Sequence, residues 1–222
     1  MKRAKIVGAL ITALVVVSVF ALVGQWDWWR GWAFIGLLLL GRLISAPYLW
    51  HKNPELMKRR GEMGKGTKTW DLIVLTVFGV TLLAIPLVAA LDIRYHGSIM
   101  PLWLWPVGVA LYVFFVTVIT WSMAVNPFFE KTVRIQSDRN RQVIEAGPYR
   151  IIRHPGYVAI ILGLVLAMPL LLGSWWALVP ALLCTLSLIL RTALEDRTLQ
   201  KELPGYEAYT RKVHYRLIPG LW

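Results

Sequence analysis

Two polar clusters in the second half of the chain hold the residues best suited to bind or react with a charged ligand. The first is the segment Gly147-Pro148-Tyr149-Arg150-Ile151-Ile152-Arg153-His154-Pro155-Gly156-Tyr157. The second contains Arg191 followed by Glu195 and Asp196. Arg191 and Glu195 are spaced i,i+4 and therefore share one helix face. Guanidinium, imidazole and carboxylate groups can together bind both the anionic and the cationic parts of a ligand.

Pro155 predicts where the helix that carries the first cluster begins. Proline suits the first helical turn and disfavours helical dihedrals at the residue before it. His154 is therefore predicted near the cap of this helix. The free N–H groups and the dipole at such a helix start attract an anion.

Long apolar blocks are the elements that must position these clusters. The chain is 57% hydrophobic, and a helix needs about 20 apolar residues to cross a hydrocarbon core of roughly 30 Å. We therefore predict an all-α, polytopic transmembrane bundle of about six spans, ending in a tight helical hairpin around Gly173 and Ser174. A re-entrant hairpin is the alternative, because the last two blocks are short for full spans. The blocks are Ile6 to Gly24, Trp32 to Trp50, Leu72 to Leu91, Leu102 to Val125, Tyr157 to Leu172 and Trp175 to Leu190.

The net charge of +12 follows the predicted topology. Most of the 24 Lys and Arg residues lie at the N-terminus, in the loops after the second and fourth blocks, and in the tail, all on one side of a six-span protein. Arg30 and Arg94 lie on the other side, and Arg42 lies inside a span. The positive-inside rule then predicts that both termini and the catalytic face are cytoplasmic. The basicity thus reflects topology and contact with membrane lipids, and no nucleic-acid partner is expected.

The other chemistry-bearing residues give weaker signals. Cys184 is the only cysteine, which excludes a disulfide within the chain, and the four histidines lack ligand spacing, so no metal is expected. Tryptophans cluster at the predicted outer boundaries, where amphipathic rings prefer the headgroup level. They are Trp26, Trp28, Trp29, Trp32, Trp103, Trp105, Trp175 and Trp176.

The two polar clusters, in this order, resemble the isoprenylcysteine carboxyl methyltransferases and their bacterial relatives, which are related in turn to phospholipid N-methyltransferases. The resemblance covers roughly the C-terminal hundred residues. Ala159 stands where the family often has Gly, and Asp196 where Glu is usual. The residues that carry the resemblance are Gly147-Pro148-Tyr149, Arg153-His154-Pro155, Tyr157, Arg191, Glu195-Asp196, Gly205-Tyr206, Tyr209, Arg211, Val213 and Ile218-Pro219.

The resemblance implies an integral membrane methyltransferase, in a bacterial inner membrane, that uses S-adenosylmethionine. Its methyl acceptor would carry a lipid tail and reach the site through the bilayer. By residue type, Glu195 or Asp196 would accept hydrogen bonds from the ribose or ammonium of this cofactor, and the helix start at His154 would hold its carboxylate. The predicted site residues are Arg191 and Arg153 for catalysis, Tyr149, His154, Pro155, Tyr157, Glu195 and Asp196 for the cofactor, and Arg42, Arg150, Tyr206 and Tyr209 for the substrate.

Methylation of a carboxylate on an amphipathic acceptor is the favoured reaction. The alternatives are a phospholipid amine N-methyltransferase and a small transporter or scaffold without chemistry, although no repeated half of the transporter kind is visible. Arg191 with Glu195 has a simpler interpretation as an ion pair at a helix end, and Arg42 as a side chain that snorkels to the membrane surface. We expect residues 1–125 to form transmembrane helices with a cytoplasmic loop at 51–69. Residues 126–222 are expected to form the cofactor-binding region, with a hairpin at 156–194 and a cytoplasmic tail.

Overall fold

In the computed structural model the chain is a bundle of helices, described for residues 16–59, 67–95, 97, 100–133 and 142–222. Residues 16–23 belong to a first helix, α1. The later helices are α2 (Trp29–Lys52), α3 (Pro54–Arg59), α4 (Thr69–Tyr95), α5 (Leu104–Val125), α6 (Pro155–Leu172), α7 (Leu178–Glu202) and α8 (Tyr206–Lys212).

Five of these helices, α2, α4, α5, α6 and α7, are long and apolar enough to cross a membrane. Large apolar side chains such as Leu43, Ile73 and Leu182 are exposed on their outer faces. Since contiguous exposed apolar surface is rare on a water-soluble monomer, these faces fit a lipid surrounding. The predicted helical membrane bundle is confirmed. The first predicted span, Ile6 to Gly24, extends into residues outside the described ranges.

The α6–α7 hairpin runs the whole length of α4. At one end Arg191 of α7 contacts Asp71 of α4, and at the other end Ser174 donates to Asp92 of α4. Asp71 and Asp92 are 21 residues apart on α4, which is about 32 Å at 1.5 Å per residue. The hairpin therefore has the reach of a full crossing rather than of a re-entrant loop.

Close packing of α6 against α5 depends on Gly163. A Cβ at this position would lie 2.6 Å from the backbone nitrogen of Phe115, so any larger residue would push the two helices apart. The middle of α6, Ala159–Val165, is π-helical, and Gly173 ends the helix in the left-handed conformation with φ of 82°. The result is a tight turn into α7.

The bundle has two chemically different ends. At the first, which we name the basic end, α2, α5 and α7 finish and α4 and α6 begin. At the second, the tryptophan end, most of the predicted interfacial tryptophans are exposed. Trp28 is an exception, because it is buried against Phe20 with the ring centroids 5.8 Å apart. The predicted separation of basic and aromatic residues is thus present in the fold.

Candidate functional site

A cavity of about 330 Å³ lies at the basic end. Its walls come from α4, α6, α7 and α8, together with the segments 126–133 and 142–149. Most of the predicted site residues line it, although they come from separate parts of the chain. They are Tyr149, Arg153, His154, Tyr157, Arg191, Glu195, Tyr206 and Tyr209.

Backbone pairing with the tail holds Arg153 and His154 in place. The amides of these two residues donate to the carbonyls of Tyr215 and Arg216, at 2.9 and 3.0 Å. Pro155 then occupies the first turn of α6, as predicted from its conformation. The tail therefore fixes the start of α6 at the edge of the cavity.

Asp196 contacts several side chains of the site at once, and its own side chain is 0% exposed. Its Oδ1 accepts from Tyr206 at 3.1 Å, lies 3.2 Å from His154 Nε2 and pairs with Arg153 Nε at 3.2 Å. Its Oδ2 accepts from Arg216 at 2.8 Å and from Gln200 at 2.7 Å. Both oxygens are occupied from within the protein, and Asp196 lies behind the cavity wall. Its contacts in the structure are with these side chains, and it is not part of the cavity lining.

The contact with Asp196 sets the tautomer of His154. A carboxylate only accepts hydrogen bonds, so the proton of the neutral imidazole is assigned to Nε2. The other ring nitrogen, Nδ1, is then an acceptor on a residue that lines the cavity. His154 is 7% exposed, so this acceptor is shielded from bulk water.

A second chain of contacts links Tyr157, Glu195 and Arg191. The Tyr157 hydroxyl donates to Glu195 Oε2 at 2.5 Å. The guanidinium carbon of Arg191 lies 5.4 Å from the centroid of the Tyr157 ring, within reach of a cation–π contact. No described hydrogen bond uses Glu195 Oε1, which leaves this oxygen to accept from a ligand in the cavity.

Asp71 is a site residue that sequence reasoning missed. It is fully buried and holds Arg191 through two hydrogen bonds, from Nε at 2.7 Å and from Nη2 at 3.2 Å. The sequence signal that could have identified Asp71 is an acidic residue directly before an apolar block. Ionisable residues in membrane-spanning helices raise the free energy of insertion and often have a function. Arg191 is thus paired with Asp71, and the i,i+4 pair with Glu195 predicted as the simpler alternative is not formed.

Two other predicted substrate residues lie outside the cavity lining. Arg150 is exposed at the end of the 3-10 turn Gly147–Arg150. Arg42 is exposed on α2, on the outer surface of the bundle, which agrees with the snorkelling interpretation. Among the described residues, no group of three or more His, Cys, Asp and Glu is placed to hold a metal ion.

The hydroxyl groups of the two tyrosines of α8 donate hydrogen bonds at the wall of the cavity. Burial raises the pKa of Tyr206, and the negative charges of Asp196 and Glu195 raise it further. Burial also raises the pKa of Tyr209, whose hydroxyl donates to the Tyr149 carbonyl at 2.7 Å. Both hydroxyls therefore stay protonated at neutral pH.

Comparison with known proteins indicates a family resemblance for part of the chain. A search of curated proteins found no match. Residues 108–201 match the family model described as Isoprenylcysteine carboxyl methyltransferase (ICMT) family. The matched stretch runs from α5 through α7 and includes the polar clusters around His154 and Glu195. Over residues 108–201, the chain is therefore similar to the isoprenylcysteine carboxyl methyltransferase family.

Proposed function

We propose that the protein is an integral membrane methyltransferase that uses S-adenosylmethionine and methylates a carboxylate on a lipid-tailed, isoprenylcysteine-like acceptor. One observation carries this proposal. The cavity joins a polar wall of Arg153, His154, Arg191 and Glu195 to an apolar wall of Leu75, Phe78 and Ile160. We also propose that residues 126–222 supply most of the cofactor contacts, while residues 1–125 supply Asp71 and the apolar wall of α4.

The residues present fit the polar groups of S-adenosylmethionine. Arg153 lines the cavity, and only its Nε is used by Asp196, so its terminal nitrogens suit the carboxylate of the cofactor. Glu195 Oε1 suits its ammonium or ribose, and His154 Nδ1 is a further acceptor. Bound S-adenosylmethionine would supply a methyl group on a sulfonium, already activated for transfer.

Arg191 is the residue best placed to receive an acceptor carboxylate. A carboxylic acid with a pKa near 4 is ionised at neutral pH, so the transfer needs no base. Arg191 would hold the acceptor's carboxylate, whose oxygen would displace the thioether from the methyl group of bound S-adenosylmethionine. The products would be a methyl ester and a neutral thioether, with no proton moved. The protein contributes by aligning the reactants, which lowers a barrier by about 7–11 kcal/mol in favourable cases.

The charge balance of the cluster favours this acceptor over an amine. Among the described residues of the cluster, three arginines are matched by three carboxylates, so these six residues add no net charge. A cofactor with one net positive charge is then best accompanied by an acceptor with one negative charge, since unpaired charge is costly in a buried site. The residues of the cluster are Arg153, Arg191, Arg216, Asp71, Glu195 and Asp196.

An apolar path supports a lipid tail on the acceptor. Leu75 and Phe78 of α4 and Ile160 of α6 line the cavity. The main contact between α4 and α6 is at the other end, through Ala167–Leu172. Near the basic end the two helices make few direct contacts, and their apolar side chains face the cavity. A tail could lie there while the polar head reaches Arg191.

The direct test is methylation with methyl-labelled S-adenosylmethionine and N-acetyl-S-farnesylcysteine, using purified protein in detergent or vesicles. We expect label in an ester that releases methanol in alkali. Farnesylcysteine methyl ester, which has no free carboxylate, is the control acceptor and should gain no label at oxygen. Label that survives alkali and travels with a phospholipid amine would contradict the proposal. It would favour the N-methyltransferase alternative, for which His154 Nδ1 is a candidate base.

We further propose that the basic end faces the cytoplasm of a bacterial inner membrane. Lys58 is exposed beside the basic end and Asp27 is exposed at the tryptophan end. In intact cells, we expect Asp27→Cys to react with an impermeant thiol reagent and Lys58→Cys to react only after permeabilisation. The native Cys184 is buried and provides a silent background. Labelling of Lys58→Cys from outside would reverse the orientation.

A further inference from the structure

Asp71 has a contact pattern that suggests more than structural support. Its Oδ1 accepts from Arg191 Nε, and its Oδ2 accepts from Arg191 Nη2 and from the Val133 amide at 2.7 Å. The side chain is 0% exposed and does not line the cavity. Asp71 thus joins the first turn of α4 to α7 and to the loop that walls the cavity.

The contacts of Arg191 determine which of its donors remain for a ligand. Nε and one Nη2 proton go to Asp71, and Nη2 also donates to the Lys131 carbonyl at 2.6 Å. No described hydrogen bond uses Nη1, although Arg191 lines the cavity. The Tyr157 ring, whose centroid is 5.4 Å from the guanidinium carbon, lies against the group on one side. Nη1 therefore remains available to a ligand, while the plane of the Arg191 guanidinium is fixed.

We propose that Asp71 is a positioning residue for the acceptor, because it fixes Arg191 so that Nη1 is available to the acceptor's carboxylate. This inference rests on the proposed carboxyl methylation. Pairing with Asp71 also offsets the charge of Arg191, so that Arg191 attracts the acceptor through a directed hydrogen bond more than through net charge. A group held in one orientation before binding loses less entropy when the ligand arrives.

Asp71→Asn tests the proposal, since an amide has nearly the same size but no charge. All three groups that face Asp71 are donors, so the amide NH₂ must oppose at least one of them. We expect the Kd for N-acetyl-S-farnesylcysteine, measured by titration calorimetry without cofactor, to rise at least tenfold. The Kd for S-adenosylhomocysteine should stay within about threefold of wild type. Asp71→Glu, which keeps the charge, should recover part of the acceptor affinity.

Asp92→Asn is the matched control, because Asp92 is an equally buried carboxylate on α4 at the tryptophan end. It tests for a general effect of an Asp-to-Asn change on α4 and should leave acceptor affinity unchanged. In an Arg191→Gln background, Asp71→Asn should add less than a twofold loss of acceptor affinity, because its effect passes through Arg191.

Three outcomes would overturn the inference. They are equal loss of acceptor affinity in the two Asn variants, an undiminished Asp71 effect in the Arg191→Gln background, and tighter acceptor binding by Asp71→Asn. Wild-type protein that binds S-adenosylhomocysteine but does not bind or methylate the acceptor would instead refute the proposed function, so the two failures are distinguishable.

Discussion

Asp196→Ala is expected to destabilise the protein and to abolish measurable binding of S-adenosylhomocysteine. The substitution leaves Arg153 and Arg216 without their shared carboxylate and removes an acceptor from Tyr206 and Gln200. Loss of one partner from a buried charge pair costs about 3–5 kcal/mol, a large part of the roughly 5–15 kcal/mol that stabilises a typical fold. Thermal unfolding followed by circular dichroism and calorimetric titration would measure the two effects.

Glu207→Ala is the control for this substitution. Glu207 pairs with Arg211 at 2.8 Å, but both side chains are exposed, and exposed pairs contribute little to stability. Asp196→Glu should retain more stability than Asp196→Ala, because the charge remains. If the thermal stability and the ligand affinity of Asp196→Ala equalled those of wild type, Asp196 would not hold the site together as its contacts indicate.

Glu195→Gln is expected to weaken binding of S-adenosylhomocysteine at least tenfold while the helices remain folded. Glu195 is only partly buried, and its Oε2 could still accept from Tyr157 as an amide oxygen, so the fold loses little. The position of Oε1 would then hold an amide NH₂, which donates and cannot accept from the ribose or ammonium of the ligand. A hydrogen bond to a charged group contributes roughly 1.5–3 kcal/mol, which corresponds to about one to two orders of magnitude in Kd.

Glu202→Gln provides the comparison on the same helix. Glu202 lies near the end of α7 and pairs with Lys68 at 2.8 Å, outside the cavity lining. This variant should bind S-adenosylhomocysteine as wild type does. Equal affinities for wild type, Glu195→Gln and Glu202→Gln would assign Glu195 a structural role and would remove the main acidic contact from the proposed cofactor site.

The arrangement of the cavity explains why the sequence identified most of its lining residues. The motif around Arg153 and His154 and the motif around Arg191 and Glu195 lie near the two ends of one helical hairpin, where α6 begins and α7 emerges. A tight turn at Gly173 returns α7 to the level at which α6 started. Two clusters separated in sequence must therefore meet, and this conclusion needs only the turn and the helical rise.

The sequence by itself determined the membrane bundle, the start of α6 at Pro155 and the convergence of the two polar clusters. These features follow from local properties, namely the length of apolar runs, the dihedral limits of proline and the spacing of residues on a helix. The roles within the site depended on tertiary structure. Asp196 lies behind the wall and Asp71 pairs with Arg191, because partner choice among charged groups is set by which helix faces oppose one another. Arg42 likewise points away from the cavity. Helix rotation and packing, which no local pattern specifies, decided these positions.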